Sequence, residues 1–417
     1  MPERSSSARF ILRALAYRNY RLFFGGQVVS LVGTWITTTA TNWLVYRLTG
    51  SAFLLGVVGF AGQFPAFVIG PFAGIFVDRW DRHRLLVVTQ TVSMLQSFGL
   101  AGLVLSGRIT LEWIVALSIV QGLVNAFDMP ARQSFLLTMI DNKADLGNAI
   151  ALNSSMVNLA RLVGPSIAGL VIATAGEGWC FLIDGISYVA VIASLLLLDT
   201  AALRPSPPAP RSRGQLREGL RYVSSTPALG VPLAMMAVIG ALAYEFQVVL
   251  PIVARETFGG GAEVYGFLTA AMGAGAVIGG LIVAGSGRTG TRAVIMASFG
   301  FGASMLLAAA APTLPLELVA MTIVGGASVT VLAIGNSTLQ LAARPDMRGR
   351  VMSLWAVAFL GTTPIGGPIA GWVSETAGGR AGLLMGGITC IVAAAGAMSY
   401  LSQRGRATLG RPSIRQT

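Results

Sequence analysis

Arg161, Asp184 and Glu245 stand inside long apolar runs, where an ionisable side chain is costly and by default marks a function. Glu245, in Ala243-Tyr244-Glu245-Phe246-Gln247, lies about four turns into its run and is the best candidate for a carboxyl that carries a proton, alternating between a protonated form and one engaged with a ligand. A cavity-mouth acid fixed by a polar neighbour is the plain structural alternative. Arg161 sits about three or four turns into another run and calls for a carboxylate partner, which spacing does not identify. Asp184 falls near the end of its run, so packing or a helix-start role competes there with proton coupling.

Other chemistries are excluded by residue type. The chain has one histidine, His83, and one lysine, Lys143, so neither a His-based triad or metal cluster nor a phosphate-binding Gly-Lys-Ser/Thr loop can be written. Gly273-Ala274-Gly275-Ala276-Val277-Ile278-Gly279-Gly280 has the wrong spacing for a dinucleotide loop and reads as close helix packing through Gly275 and Gly279. Cys180 and Cys390 lie in apolar runs without a C-x-x-C spacing and read as small packing residues. No cofactor, metal or nucleic-acid partner is expected, and energy has to come from ion or substrate gradients.

The elements that must position these groups are membrane spans. Of 417 residues, 54% are hydrophobic and only 11% charged, against about a quarter in soluble domains, and the mean hydropathy is +0.71. At about 20 residues per span this length fits about twelve helices joined by short loops. The net charge of +12 is dispersed between runs instead of gathered in a block. One set of alternate loops holds Arg4, Arg9, Arg13, Arg18, Arg21, Arg79, Arg82, Arg84, Arg132, Lys143, Arg204 to Arg221, Arg288, Arg292, Arg344, Arg348, Arg350 and Arg404 to Arg415. The other holds only Arg47, Arg108, Arg255 and Arg380. Basic residues stay in the cytoplasm, so both termini are expected there and the number of spans is even. The N-terminal residues lack an apolar core of signal-peptide type, and the first span itself is expected to direct insertion.

The runs place spans at about 21–48, 52–77, 85–105, 111–130, 148–174, 179–198, 227–251, 263–285, 293–311, 315–339, 350–375 and 380–402. A basic segment, 1–20, precedes a first six-helix unit, 21–198; a cytoplasmic linker, 199–226, with the helix-breaking Arg204-Pro205-Ser206-Pro207-Pro208-Ala209-Pro210-Arg211, leads to a second unit, 227–402, and a basic tail, 403–417. Within the linker, Gln215 to Tyr222 reads as a short surface helix with Leu216 and Leu220 on one face. The units look like distant copies: Leu55-Gly56 and Gly70 meet Tyr265-Gly266 and Gly280, Asn125 meets Asn336, and Gly164-Pro165 with Ala168-Gly169 meets Gly367-Pro368 with Ala370-Gly371. Such duplication marks transporters that rock one bundle against the other. The expected fold is an all-α membrane protein with twelve transmembrane helices as two pseudo-symmetric six-helix bundles.

Gly74-x-x-x-Asp78-Arg79-x-x-Arg82-x-Arg84, at the end of an uncharged run, resembles the helix 2–3 loop of the major facilitator superfamily, with Asp81 where a small residue is usual. The resemblance implies that Asp78 holds helix 2 against the start of helix 11, favouring an outward-facing state, and that Arg82 pairs with an acid at the end of helix 4, for which Asp128 is the candidate. In the second half Ala284 takes the place of Asp78, so this latch is asymmetric. Arg161-Leu162-Val163-Gly164-Pro165-Ser166-Ile167-Ala168-Gly169 resembles the antiporter signature on helix 5, which implies export; a generic proline kink is the alternative reading. Ser118 stands where the superfamily normally has an arginine on helix 4, a place Arg161 would then fill. Helices 1, 4, 7 and 10 would line the cavity, with Ser30, Thr34, Trp35, Thr38, Thr41, Asn42, Gln121, Asn125, Asp128, Tyr244, Asn336 and Gln340 as candidate contacts, although such residues also bond helix to helix.

Arg18-Asn19-Tyr20-Arg21-Leu22-Phe23-Phe24 with Gln27, Ala126-Phe127-Asp128-Met129-Pro130-Ala131-Arg132-Gln133 and Asn148-Ala149-Ile150-Ala151-Leu152-Asn153-Ser154 are similar to the drug and siderophore efflux branch that includes the enterobactin exporter and macrolide efflux pumps. The resemblance implies a monomeric transporter, not an enzyme, in the bacterial cytoplasmic membrane, exchanging protons for a drug-like, macrolide-like or siderophore-like amphipathic small molecule by alternating access. A lysophospholipid transporter and a non-transporting receptor are the alternatives.

Overall fold

Backbone polar groups in hydrocarbon have to be satisfied within their own segment, which leaves the helix as the natural form for these runs. The computed structural model describes residues 13–203, 215–286, 288–344, 347–360 and 363–409, and their regular structure is helical. The first set is α1 (Arg18–Thr49), α2 (Ala52–Arg79), α3 (Arg82–Leu105), α4 (Leu111–Leu136), α5 (Lys143–Ala175) and α6 (Glu177–Leu196). A linker helix, Gln215–Ser225, leads to α7a (Pro227–Ala243), α7b (Phe246–Ile252), α8 (Ala262–Ser286), α9 (Thr291–Ala310), α10 (Leu314–Ala342), α11a (Arg348–Leu360), α11b (Thr363–Ala377) and α12 (Gly379–Leu409).

Ten helical stretches among the described residues are long and apolar enough to cross a membrane. Not among them are α1, which carries Ser30, Thr34, Thr37, Thr38, Thr39 and Thr41, and α11, whose two segments flank residues 361–362, outside the described residues. Large apolar side chains face outward where a soluble protein would hide them, Leu281 at 71% and Ile282 at 66% exposure among them. The protein is a multi-pass membrane protein.

The reversals follow from local chemistry. Gly50 takes a left-handed conformation, φ 62, that closes α1 through its N–H to the Tyr46 carbonyl at 2.8 Å, and Ser51 then caps α2 by accepting from Leu54 N at 3.2 Å. Asp81 caps α3, accepting from His83 N at 2.9 Å and Arg84 N at 3.2 Å. Asn19, in the arginine-rich approach, exchanges two bonds with the Asp199 backbone, at 2.8 and 3.0 Å, while Tyr20 donates to the Ala149 carbonyl at 3.0 Å. The start of α1 is thereby fastened to the end of α6 and the start of α5. Just before it, Tyr17 donates to Asp145 at 2.9 Å, a bond that holds the phenol above its usual pKa.

Within the first set α1 packs on α5 and α6, α3 on α6, and α2 on α4; within the second, α8 packs on α10 and α9 on α10 and α12. The expected close approach at Gly275 is found: a Cβ there would collide with the Thr322 carbonyl of α10, and Gly325 approaches Met272 of α8 in return. Cys180 and Cys390 have no exposed surface and pack in the two cores. The linker helix docks on the second set through Glu218 and Arg350 at 2.7 Å and through Tyr222, which accepts from Arg344 N at 3.2 Å. Leu220 remains exposed and the Leu216 side chain is outside the described residues.

One element departs from expectation. The run 227–251 reads as one span, but the helix breaks at Tyr244 (φ −104, ψ 13) and Glu245 (φ −84, ψ 35) before resuming as α7b and a π turn, Val253–Thr257. Pro251 supplies no N–H to the segment after the break, and the Glu245 carbonyl starts it afresh by accepting from Val248 N at 3.0 Å and Val249 N at 3.1 Å.

Candidate functional site

The two sets of helices meet along α5 against α8 and α2 against α11b. Backbones touch there: a Cβ on Gly266 would lie 2.7 Å from the Pro165 carbonyl and 3.0 Å from the Gly169 Cα, and one on Gly367 would lie 3.3 Å from the Gly56 carbonyl. Of the signature residues of α5, Pro165 and Gly169 thus form a contact surface between the sets, while Gly164 packs within its own set, under Trp35 of α1.

Glu245 occupies the break in α7. Its side chain is 7% exposed and aims at Gly366 and Gly367 of α11b, where added Cβ atoms would stand 2.8 and 3.5 Å from the carboxylate oxygens. Oε1 is buried without a hydrogen-bond partner among the described residues, an open seat for a proton or a donor. Tyr244 turns the other way, donating to the Ser328 carbonyl at 2.8 Å and packing among Phe246, Phe301 and Phe359 at ring separations of 5.0 to 6.3 Å.

Arg161 belongs to the first set and lies with its guanidinium 5.0 Å from the centre of the Trp35 ring. Its Nε has no partner among the described residues, and it stands within electrostatic reach of Tyr244 across the junction. The carboxylate expected beside it is absent among the described residues; the indole face takes that place. Trp35, Arg161, Tyr244 and Glu245 thus join Pro165 and Gly169 among the sequence candidates that the fold brings to the junction, as does Asn42, described below.

Other candidates are spent within their own set. Asp128 accepts from Thr89 at 2.8 Å and Gln90 at 2.7 Å and pairs with Arg132, which continues to Gln27. The ion-pair partner of Asp128 in this network is Arg132, where Arg82 was expected. Asp184 is 1% exposed and accepts from Ser97 at 2.7 Å, bonding α6 to α3. Thr34 and Thr38 return their hydroxyls to the Ser30 and Thr34 carbonyls at 3.0 and 2.8 Å, so the hydroxyl face of α1 offers few free donors. Gln121 donates to Ser93 and to Asn125, both at 3.2 Å, leaving its Oε1 unpartnered, and Gln340 donates to Asn336. Thr41 is half-buried on α1. Arg79 is exposed at the end of α2, Arg82 begins α3, and the surroundings of Gly74 and the Asp78 side chain lie outside what is described.

Sequence reading missed the bonds that join the sets. Asn42 donates to Tyr265 at 3.4 Å beside the stacked rings of Trp43 and Tyr265, and Tyr46 donates to Glu256 at 2.8 Å. Glu375 at the end of α11b accepts from both Ser51 Oγ at 2.6 Å and Phe53 N at 2.8 Å, capping α2 from the opposite set. These links gather at the arginine-poor end, where Arg47 also forms a bidentate pair with Glu177 at 2.7 and 3.2 Å. At the arginine-rich end the bonds described above lie within each set.

A family model described as "Transmembrane secretion effector" matches residues 12–408. The multidrug efflux pump Tap of Mycolicibacterium fortuitum is 29% identical over 364 residues, 83% of this chain and 87% of that one. The staphyloferrin A transporter of Staphylococcus aureus is 27% identical over 265 residues, 63% of this chain and 66% of that one, and the enterobactin exporter EntS of Shigella boydii is 25% identical over 363 residues, 84% of each. Among solved structures, a POT family transporter in complex with 5-aminolevulinic acid superposes with a TM-score of 0.73 at 12% identity, covering 93% of this chain and 96% of that one. An inward-facing, unoccupied bacterial homolog of the lysosomal transporter Spinster gives 0.70 at 12% identity, covering 92% and 97%; at such identity both speak for the fold alone. A family match over nearly all the described residues, efflux relatives and a transporter architecture with backbones in contact between two helix sets lead to one conclusion: the chain belongs to the transmembrane secretion effector family of the major facilitator superfamily, whose members are transporters and not enzymes.

Proposed function

We propose that the protein is a twelve-span, proton-coupled exporter of an amphipathic small molecule across the bacterial inner membrane, with the arginine-rich end and both termini in the cytoplasm. The observation that carries this reading is Glu245: a buried carboxyl with an unpartnered oxygen, placed at a break in a membrane helix and at the junction of two helix sets. Discontinuous helices at a repeat junction are where such transporters put their coupling and substrate sites. The two sets act as bundles that rock about the contacts of α5 with α8 and of α2 with α11b. The joining bonds among the described residues hold the arginine-poor end closed in this conformation.

Proteoliposomes given a pH gradient and offered dyes, macrolides, catecholate and carboxylate siderophores and lysolipids test this reading. Flux of a soluble compound that depends on the gradient is expected. Movement of lysolipid alone, equal with and without the gradient, would replace the exporter by a lipid transporter.

The Glu375 cap supports a second measurement. Losing an exposed helix cap costs about 1 kcal/mol, roughly fivefold in the ratio of closed to open states. Glu375→Ala is expected to speed hydrogen exchange at the Phe53 amide by about that factor. Unchanged protection would mean that Glu375 does not hold this end shut.

A further inference from the structure

The unpaired Arg161 bears on the charge of the transported molecule, an inference that rests on the transport reading above. A guanidinium at membrane depth needs a counter-charge, and the chain supplies none among the described residues. None of the membrane-depth acids pairs with it: Asp128 is engaged by Thr89, Gln90 and Arg132 and Asp184 by Ser97, while the Glu245 carboxylate faces Gly366 and Gly367. Trp35 offers only its ring face, at 5.0 Å, and Nε points at no acceptor. The group thus stands over an aromatic ring at the junction, with a donor free for an oxyanion. We propose that Arg161 over Trp35 is an anion-binding subsite and that the molecule carried is an amphipathic acid, bearing a carboxylate or catecholate beside an aromatic or apolar body. A guanidinium fork meets either oxyanion with two parallel hydrogen bonds, and the same charge disfavours cationic amphipathic drugs. Aromatic surface for the apolar body is at hand in Trp35 under the guanidinium and in the half-buried Tyr244 and Phe359, whose rings lie 5.0 Å apart.

The test uses two probes that differ in charge and by one methyl group, N-dansyl-phenylalanine and its methyl ester, titrated against the full chain in nanodiscs. Wild type is expected to bind the acid at least about tenfold more tightly than the ester, the size of a charge-assisted hydrogen bond. In Arg161→Gln that preference should fall to within about twofold while ester affinity holds, which also reports that the variant is folded. Arg161→Lys, a point charge without the fork, should keep part of the preference. Equal binding of acid and ester by wild type, a preference that survives Arg161→Gln, or binding of neither probe overturns the subsite. The transport reading stands or falls separately, on gradient-driven flux of any soluble compound in the panel. Displacement of the acid only by anionic lysophospholipid, and not by 2,3-dihydroxybenzoate, would assign the anion to a lipid headgroup and overturn the soluble acid.

Discussion

Glu245→Gln is expected to lower pH-gradient-driven flux by at least about tenfold while exchange of substrate for substrate across the membrane continues. Glutamine has the shape of the carboxyl it replaces, so the seat against Gly366 and Gly367 is kept and the break in α7 is undisturbed. What is removed is the ability to take up a proton on one side and release it on the other. Counterflow separates the two effects, because exchange needs the bundles to rock and the substrate to bind but needs no proton. Should driven flux persist in the variant, the exporter would remain and the proton site would have to move. Asp184 would be the next candidate ahead of Asp128, whose oxygens are engaged by Thr89, Gln90 and Arg132.

The second large effect concerns stability. Gly275→Val is expected to cost about 3 kcal/mol and to cut the yield of monodisperse protein severely, because its side chain would be driven into the Thr322 backbone of α10. Neither helix can give way alone, since Gly325 presses on Met272 from the opposite direction. Gly300→Ala is the control: nothing lies within 4 Å of a Cβ there, and alanine in a helix is favoured over glycine by up to about 1 kcal/mol. Thermal unfolding of the two variants in one detergent should therefore move in opposite directions. Equal, small shifts would mean that α8 and α10 are not locked through their backbones.

Gly275 also shows what kind of feature a sequence reveals. Two glycines one turn apart in an apolar run announce a close helix contact, and the spacing alone excluded a nucleotide loop. Glu245 was visible for a similar reason, as an acid far inside such a run. Its break was not, because Tyr244 and Glu245 are not helix breakers themselves and the proline lies six residues on. The Asp128 to Arg132 pair carried a signal that was available: opposite charges at i and i+4 on one helix face meet as a matter of geometry. The family resemblance drew attention instead to Arg82. Ser51 and Glu375 stand 324 positions apart, and no local pattern couples a loop serine to an acid on a helix from the other set. Nor can composition tell a hydroxyl that faces a cavity from one that bonds its own helix, as Thr34 and Thr38 do.

The two thiols give the protein one more property. Cys180 and Cys390 are the only cysteines and neither has any exposed surface, so the native chain already behaves toward maleimides as a cysteine-free background. Reporter cysteines introduced in pairs at the two ends of the molecule could carry fluorophores for distance measurements in single transporters, with no substitution needed in either core.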